Sequence, residues 1–281
     1  MNDKTTFSSG ALSKTTIYIL LTVGSLLMML PFVWMLISSF MSQHELTSVN
    51  PRIFWPSVFR FDNYTEAMRV APFDRYFFNS FIVAILGTIG ELITTILAAY
   101  AFSHMKFWGR DVVFAILLGT MMVPSEVMLI PNFITISNLG WVDTYMALIV
   151  PWLASVFSIF LLRQFFLGIP IQLSYAAKVD GCSDFKFLWY VMVPLAKPAL
   201  ITITLLTTIA SWNAFLWPLI VTNAHEMRTV PVGLAMFRGE AGSFYGLLMA
   251  ASVLAVLPIF ILYLIMQKHI VAAISRSGIK G

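Results

Sequence analysis

Six apolar runs of 19 to 27 residues, each with at most one charged side chain, divide this sequence of 281 residues. A helix needs about 20 apolar residues to cross the core of a bilayer, so each run predicts one transmembrane helix. Charged residues make up 11% of the chain, against about 25% in soluble domains, which excludes a soluble fold. We therefore predict an all-α membrane protein with six transmembrane helices, at 17–40, 77–103, 112–136, 144–162, 199–223 and 244–267.

The first run is expected to remain in the protein as an anchor. Its 24 apolar residues exceed the core of a signal peptide, which has about 7–15, and no Ala-x-Ala-like site follows Phe40. Six spans then place both termini on one side of the membrane.

The basic residues indicate which side that is. The side with the termini carries 11 of the 17 lysines and arginines, including all eight lysines. Cytoplasmic loops carry an excess of these residues, so both termini are predicted to be cytoplasmic. The net charge of +4 then reflects orientation in the membrane, and no nucleic-acid partner is expected. We expect a tail at 1–16, a six-span domain at 17–267 with a long cytoplasmic loop at 163–198, and a tail at 268–281.

The sequence excludes several kinds of chemistry. It has no Gly-x-x-x-x-Gly-Lys-Ser/Thr loop, so any ATP that drives the protein must be bound by another chain. Cys182 is the only cysteine, and all four histidines lie at or beyond the span ends, so no metal site and no cofactor are expected. An intramembrane serine protease would need a nucleophile and a histidine inside the spans, and no Gly-x-Ser-x-Gly occurs. We expect no catalytic residue.

Two acidic residues, Glu91 and Glu126, lie inside the runs. Carboxylates in membranes usually face the interior of the helix bundle or a water-filled cavity. Glu91 lies in the middle of the second run, where it could line a translocation path or hold a neighbouring helix by hydrogen bonds. The sequence leaves both interpretations open. Two distant glutamates do not make the relay of ionisable groups expected of a proton-coupled carrier.

The fifth run contains a dense group of aromatic residues at 212–218, with an amide among them. Aromatic rings can pack on the apolar faces of a sugar while an amide fixes its hydroxyls. Trp212, Asn213 and Phe215 are therefore candidates for the translocation path, together with Glu91. An aromatic belt at the membrane interface is the alternative interpretation.

The long cytoplasmic loop has the pattern of an ordered hairpin. Residues 172–180 favour a helix, and Gly181 can end it in a left-handed turn. Apolar residues then follow at helical spacing, at Phe185, Leu188, Trp189 and Met192. The loop predicts a short helix, a turn and a second helix.

This loop resembles a known motif. Residues 174–181, followed nine residues later by Val191-Met192-Val193-Pro194, are similar to the Glu-Ala-Ala…Gly…Pro loop in permease subunits of bacterial ABC importers. The match includes Ala176, Ala177, Asp180 and Gly181, whereas Tyr175 stands where the family usually has glutamate. Five further stretches resemble the smaller permease of maltose-type carbohydrate importers: Asn79-Ser80, 99–103, 212–218, 230–234 and 277–281.

The resemblance implies a type I ABC importer permease fold in a bacterial plasma membrane, with a cytoplasmic coupling helix that docks in a cleft of the ATPase subunit. Docking is expected to involve Ala176, Ala177, Asp180 and Gly181; Tyr175 leaves the role of its position open. The implied partners are a second permease subunit in a heterodimer, two ATP-binding subunits, an extracytoplasmic solute-binding protein that meets loop 224–243, and membrane lipid. The tail 276–281 is expected to reach the ATPases.

The expected function is import of a mono- or oligosaccharide by alternating access. Glycerol phosphate or another polyol derivative is the alternative within the same branch. The alternatives from another class are an intramembrane enzyme and an ion-coupled carrier, and such a carrier would have no use for the ordered loop at 170–194.

Overall fold

A computed structural model describes residues 7–49, 53–240 and 244–277, without the side chains of 7–13, 236–240, 266 and 268–277. Within these ranges every regular element is a helix, which confirms the predicted all-α class. The α-helices are α1 (Phe7–Ser38), α2 (Gln43–Thr47), α3 (Asp62–Val70), α4 (Phe73–His104), α5 (Arg110–Thr120), α6 (Leu129–Asn138), α7 (Tyr145–Ile149), α8 (Val156–Leu167), α9 (Ile171–Val179), α10 (Asp184–Phe187), α11 (Val193–Leu195), α12 (Lys197–Trp212), α13 (Leu216–Val221), α14 (Val230–Glu240) and α15 (Tyr245–Ser277). A π-helical turn lies at Leu188–Met192, and 3₁₀ turns lie at Ser125–Met128, Val150–Trp152 and His225–Met227.

Among the described residues, three helices are long and apolar enough to cross a membrane unaided: α1, α4 and α15. Three further spans arise only when two bent pieces are counted as one. The pieces are Arg110–Thr120 with Ser125–Asn138 (92°), Tyr145–Trp152 with Val156–Leu167 (41°), and Asp184–Leu195 with Lys197–Trp212 (79°). The described chain therefore has three spans, or up to six with the bent pairs.

Three predicted spans are wrong as single helices. The run at 112–136 breaks after Thr120, the run at 144–162 bends after Trp152, and the run at 199–223 breaks after Trp212. Proline explains where the new pieces begin, because it lacks the N–H that a helix interior needs but not the N–H that its first turn leaves unused. Pro131 and Pro218 both lie in the first turn of a new helix, α6 and α13. Pro31, by contrast, stays inside α1.

Side chains provide donors for backbone carbonyls near these breaks. The Thr94 hydroxyl on α4 donates to the carbonyl of Leu153, which lies between the two pieces of the fourth span. The Trp217 indole donates to the carbonyl of Ala147 at 2.8 Å. An unsatisfied carbonyl in a bilayer costs several kcal/mol, so these donors make the broken helices tolerable there.

The chain forms two compact units. The larger comprises the described residues of 72–236 and those from Leu257 onward. In it, α4 packs along both α8 and α12. The C-terminal half of α4 contributes Ile96, Ala99 and Tyr100 to a buried cluster that also contains residues of α8, the Asp184–Leu195 segment and α12. A second buried cluster surrounds Val83 in its N-terminal half.

The smaller unit comprises the described residues up to Ala71 and those of 237–256. Its α2 begins with a capping box, in which Ser42 and Glu45 bond each other's backbone N–H. The buried Glu45 carboxylate also accepts bonds from the backbone N–H of Ser57, at 2.9 Å, and from its hydroxyl. The Ser57 hydroxyl, followed by the N–H groups of Ser42 and Ser57, lowers the pKa of Glu45 to about 2. One carboxylate thus ties together segments 12 residues apart.

We expect Glu45→Gln to lower the free energy of unfolding by about 1–3 kcal/mol near pH 7, the range for hydrogen bonds to a charged group. The folded pKa lies below the ordinary value of 4.5, so this stabilisation is complete above pH 4.5 and fades as the pH falls toward about 2. Thermal unfolding in detergent from pH 3 to pH 7 measures the difference. Glu66→Gln, at an exposed position of α3, is the matched control. A wild-type advantage as large at pH 3 as at pH 7 would contradict this account.

Candidate functional site

The hairpin at residues 171–195, called the coupling hairpin after the role that the sequence resemblance implies, begins with the helix α9. The sequence predicts this helix at 172–180, and the structure has it at Ile171–Val179. It ends in a Schellman motif: the N–H of Gly181 bonds the carbonyl of Lys178 at 3.1 Å, and the N–H of Cys182 bonds that of Ala177 at 2.8 Å. Gly181 has φ +69°, so the left-handed turn that the sequence predicts is present.

Helix α9 buries none of its nine residues. Ala177 packs against the buried cluster that contains Ile96, Ala99 and Tyr100 of α4. Tyr175 and Val179, by contrast, are 61% and 87% exposed. Ala176 and Asp180 are also exposed. The four residues expected to dock, together with Tyr175, therefore lie on α9 and in the turn that ends it, and all but Ala177 are exposed. A helix with an uncovered face and small side chains can approach another protein closely.

The second arm of the hairpin fixes it to the spans. It starts at Asp184, with the Ser183 hydroxyl as cap, and passes through the π-helical turn into α11. The buried side chains of Phe187, Leu188 and Met192 enter the cluster shared by α4, α8 and α12. The hairpin is therefore packed directly against these three helices.

Glu91 joins the same three helices near the middle of α4. Its side chain is 7% exposed, and its Oε1 accepts hydrogen bonds from the Ser158 hydroxyl on α8 at 2.7 Å and the Thr207 hydroxyl on α12 at 3.1 Å. One turn earlier, the hydroxyls of Thr88 and Thr208 lie 3.2 Å apart. Of the two interpretations left open by the sequence, this geometry favours helix holding.

Trp212, Asn213 and Phe215 lie together at the break between α12 and α13. Trp212 is buried, with its ring centroid 5.0 Å from that of Phe81 in an edge-on arrangement. The backbone N–H of Asn213 donates to the carbonyl of Ile209 at 3.1 Å, and the exposed Asn213 side-chain amide donates to the same carbonyl at 2.9 Å. Phe215 is 37% exposed. Glu91 bonds α12 at Thr207. Thr207 lies six residues before Asn213, about 9 Å along the helix axis.

Sequence reasoning missed several polar residues that matter here. Ser158 and Thr207 are the partners of Glu91, and Asp143 holds the loop after α13. A hydroxyl within an apolar run signals that a polar contact exists, but it does not say which helix provides the partner. Within the part of the chain that the structure describes, no three His, Cys, Asp or Glu side chains could together hold a metal ion.

Comparison with known proteins relates this geometry to a family. A family model described as "Binding-protein-dependent transport system inner membrane component" matches residues 91–276. The chain is 35% identical over 277 residues, 98% of each chain, to the arabinooligosaccharides transport system permease protein AraQ of Bacillus subtilis. It is 37% identical to the trehalose/maltose transport system permease protein MalG of Thermococcus litoralis, over 94% of this chain and 97% of that one.

A glycerol phosphate permease is also similar. The sn-glycerol-3-phosphate transport system permease protein UgpE of Agrobacterium fabrum is 32% identical, over 92% of this chain and 95% of that one. Among solved structures, a chain of a bacterial ABC transporter involved in the import of the acidic polysaccharide alginate superposes with a TM-score of 0.82. It shares 27% identity and covers 95% of this chain and 99% of its own. The chain therefore belongs to the family of binding-protein-dependent transport system inner membrane components, the permeases of ABC importers, and is a multi-pass protein of the inner membrane.

Proposed function

We propose that this chain is one of two permease subunits that together import a sugar, driven by ATP hydrolysed on two separate subunits. The observation that carries the proposal is the coupling hairpin, which offers an open helix α9 on one side and is packed into three span helices on the other. The chain itself performs no covalent chemistry. ATP is bound by the partner ATPases, and the substrate is delivered by an extracytoplasmic binding protein.

The mechanism follows from these contacts. Closure of the ATPase dimer moves α9, and the buried side chains of the second arm pass that movement to α4, α8 and α12. Glu91 keeps the three helices together near their middle while they tilt. The path then opens on alternate sides of the membrane. Bent spans suit such a movement, because a break lets one piece turn while the other stays packed.

A sugar is the favoured substrate because relatives similar over nearly their whole lengths are named for arabinooligosaccharides and for trehalose and maltose. Glycerol phosphate is the second candidate, on the strength of the UgpE relatives. The chain should be reconstituted in liposomes with its partner chains, and ATP hydrolysis measured as the binding protein is added with each substrate. We expect stimulation only by a sugar-loaded binding protein. Transport by this chain alone would overturn the proposal.

We expect Gly181→Val to abolish uptake while the chain still inserts in the membrane. A β-branched residue is strained at φ +69°, although a Cβ at this position would meet no atom within 4 Å. The valine therefore disturbs the backbone of the turn and not the packing around it. Asparagine tolerates a left-handed backbone, so Gly181→Asn should retain most of the uptake. Uptake and copurification of the ATPases are the measurements; normal uptake by Gly181→Val would refute a requirement for this turn.

We expect Glu91→Gln to transport nearly as well as the wild type, because an amide oxygen can still accept both hydroxyls. Glu91→Ala should lose about 1–3 kcal/mol of stability from two broken hydrogen bonds inside a membrane protein, and should lower uptake. Melting temperature in detergent and initial uptake rates test both variants. A stable Glu91→Gln variant that fails to transport would show that the carboxyl is needed for more than holding helices.

We expect Asn213→Ala to reduce the maximal uptake rate severalfold with a melting temperature close to that of the wild type. Its amide is exposed and donates to a carbonyl of its own helix, so little stability depends on it. Asn138→Ala, at an exposed position at the end of α6, is the control and should change neither quantity. Unchanged uptake in Asn213→Ala would remove this residue from the translocation path.

A further inference from the structure

The loop between α13 and α14, residues 222–229, is held by side chains from elsewhere in the larger unit. We call it the outer loop, since the predicted topology puts it outside the cytoplasm. It contains the 3₁₀ turn His225–Met227, in which none of the residues is buried. The guanidinium of Arg228 lies 2.8 Å from Nδ1 of His225. The loop thus presents a set of polar groups in a defined shape.

Asn79, in the second turn of α4, holds the middle of the outer loop. Its side chain is 2% exposed. The amide nitrogen donates to the carbonyl of Glu226 at 2.7 Å and to that of Arg228 at 2.9 Å. Its oxygen accepts the Tyr145 hydroxyl at 2.7 Å. Both N–H donors and the oxygen of this amide are in use, so its orientation is fixed by three contacts to two other segments.

Asp143 holds the beginning of the outer loop. Its Oδ1 accepts the N–H groups of Asn223 at 2.6 Å and Ala224 at 2.8 Å. Its own N–H donates to the carbonyl of Val221 at 2.9 Å, the last residue of α13. Asp143 has φ 60°, a conformation that aspartate and asparagine adopt more readily than most residues. The turn thereby points the carboxylate at the loop.

The end of the loop is fixed as well. The Ser80 hydroxyl, next to Asn79, accepts the N–H of Val230 at 2.9 Å, where α14 begins. The outer loop is therefore bonded at its start, middle and end to side chains that lie between 80 and 150 residues away in the sequence. A loop ordered in advance loses less entropy when it binds a partner.

We propose that Asn79 and Asp143 are positioning residues that hold the outer loop ready to bind the extracytoplasmic binding protein. This inference rests on the proposed function, because it takes that protein as the partner. Neither residue touches the partner; each acts through the backbone of the loop. Their loss should weaken docking without reducing the rate reached once the partner is saturating.

The test uses the complete transporter in nanodiscs and measures ATP hydrolysis against binding-protein concentration. We expect Asn79→Ala to raise the half-saturating concentration about tenfold, as the loss of one or two hydrogen bonds would. The maximal rate should stay within about twofold. Asp143→Gly should behave in the same way, since glycine accepts the positive φ but offers no acceptor.

Asp143→Asn is the rescue variant, because it keeps both the backbone preference and an oxygen that can accept the two N–H groups. It should return the half-saturating concentration to within about twofold of the wild type, as should the control Asn138→Ala. If Asn79→Ala does not assemble, the pair Asp143→Gly and Asp143→Asn decides the matter alone, because neither strains the backbone.

The outcomes separate this inference from the function on which it rests. A wild-type complex that the binding protein does not stimulate contradicts the proposed function. Normal stimulation in the wild type, with half-saturating concentrations within twofold in Asn79→Ala and Asp143→Gly, overturns only the positioning role. A fall in maximal rate with unchanged half-saturation also overturns it, since that result indicates a general structural defect.

Discussion

Backbone carbonyl groups inside a bilayer need a hydrogen-bond donor, and this requirement governs how the spans can break. Each break frees carbonyls that an uninterrupted helix would have satisfied. The hydroxyl of Thr94 and the indole of Trp217 bond carbonyls at such places. Polar residues in the apolar runs thus supply donors for carbonyls that the breaks leave without a helical partner. They allow a bent helix to exist in a bilayer.

Helix α4 is the element to which the other functional parts are attached. Near its start, Asn79 and Ser80 hold the outer loop; near its middle, Glu91 bonds α8 and α12. Toward its end, Ala99 and Tyr100 lie in the cluster that receives the coupling hairpin. A single helix of 32 residues therefore connects the proposed docking surfaces at the two faces of the membrane.

Much of this organisation could be predicted from the sequence, because apolar length, proline and glycine act locally. The runs at 17–40 and 77–103 correspond to α1 and α4, and the helix before Gly181 differs from its predicted position by one residue at each end. The break in the run at 199–223 was not apparent from hydropathy, because Asn213 is followed at once by the apolar Ala214 and Phe215 and the segment carries no charge.

The contacts of Glu91, Asn79 and Asp143 could not be predicted in the same way. Helical periodicity shows which face a residue occupies, but the partner helix is set by how the spans pack. Nothing in the sequence joins Glu91 to Ser158, 67 residues away, or Asn79 to a loop 147 residues away. The coupling hairpin could be predicted because its turn depends on residues close together in the sequence. The polar pairs could not, because their members are far apart in the sequence.

The uncovered surface of α9 has a consequence for how the cell must make this protein. Ile171, Leu173, Tyr175 and Val179 are all exposed on a helix that ends at a glycine turn. In the proposed topology, a copy without its partners exposes these apolar groups to the cytoplasm, where chaperones and proteases recognise such surfaces. In the proposed assembly the ATPase hides them, so under that proposal unmatched synthesis of the two chains shortens the lifetime of the excess permease.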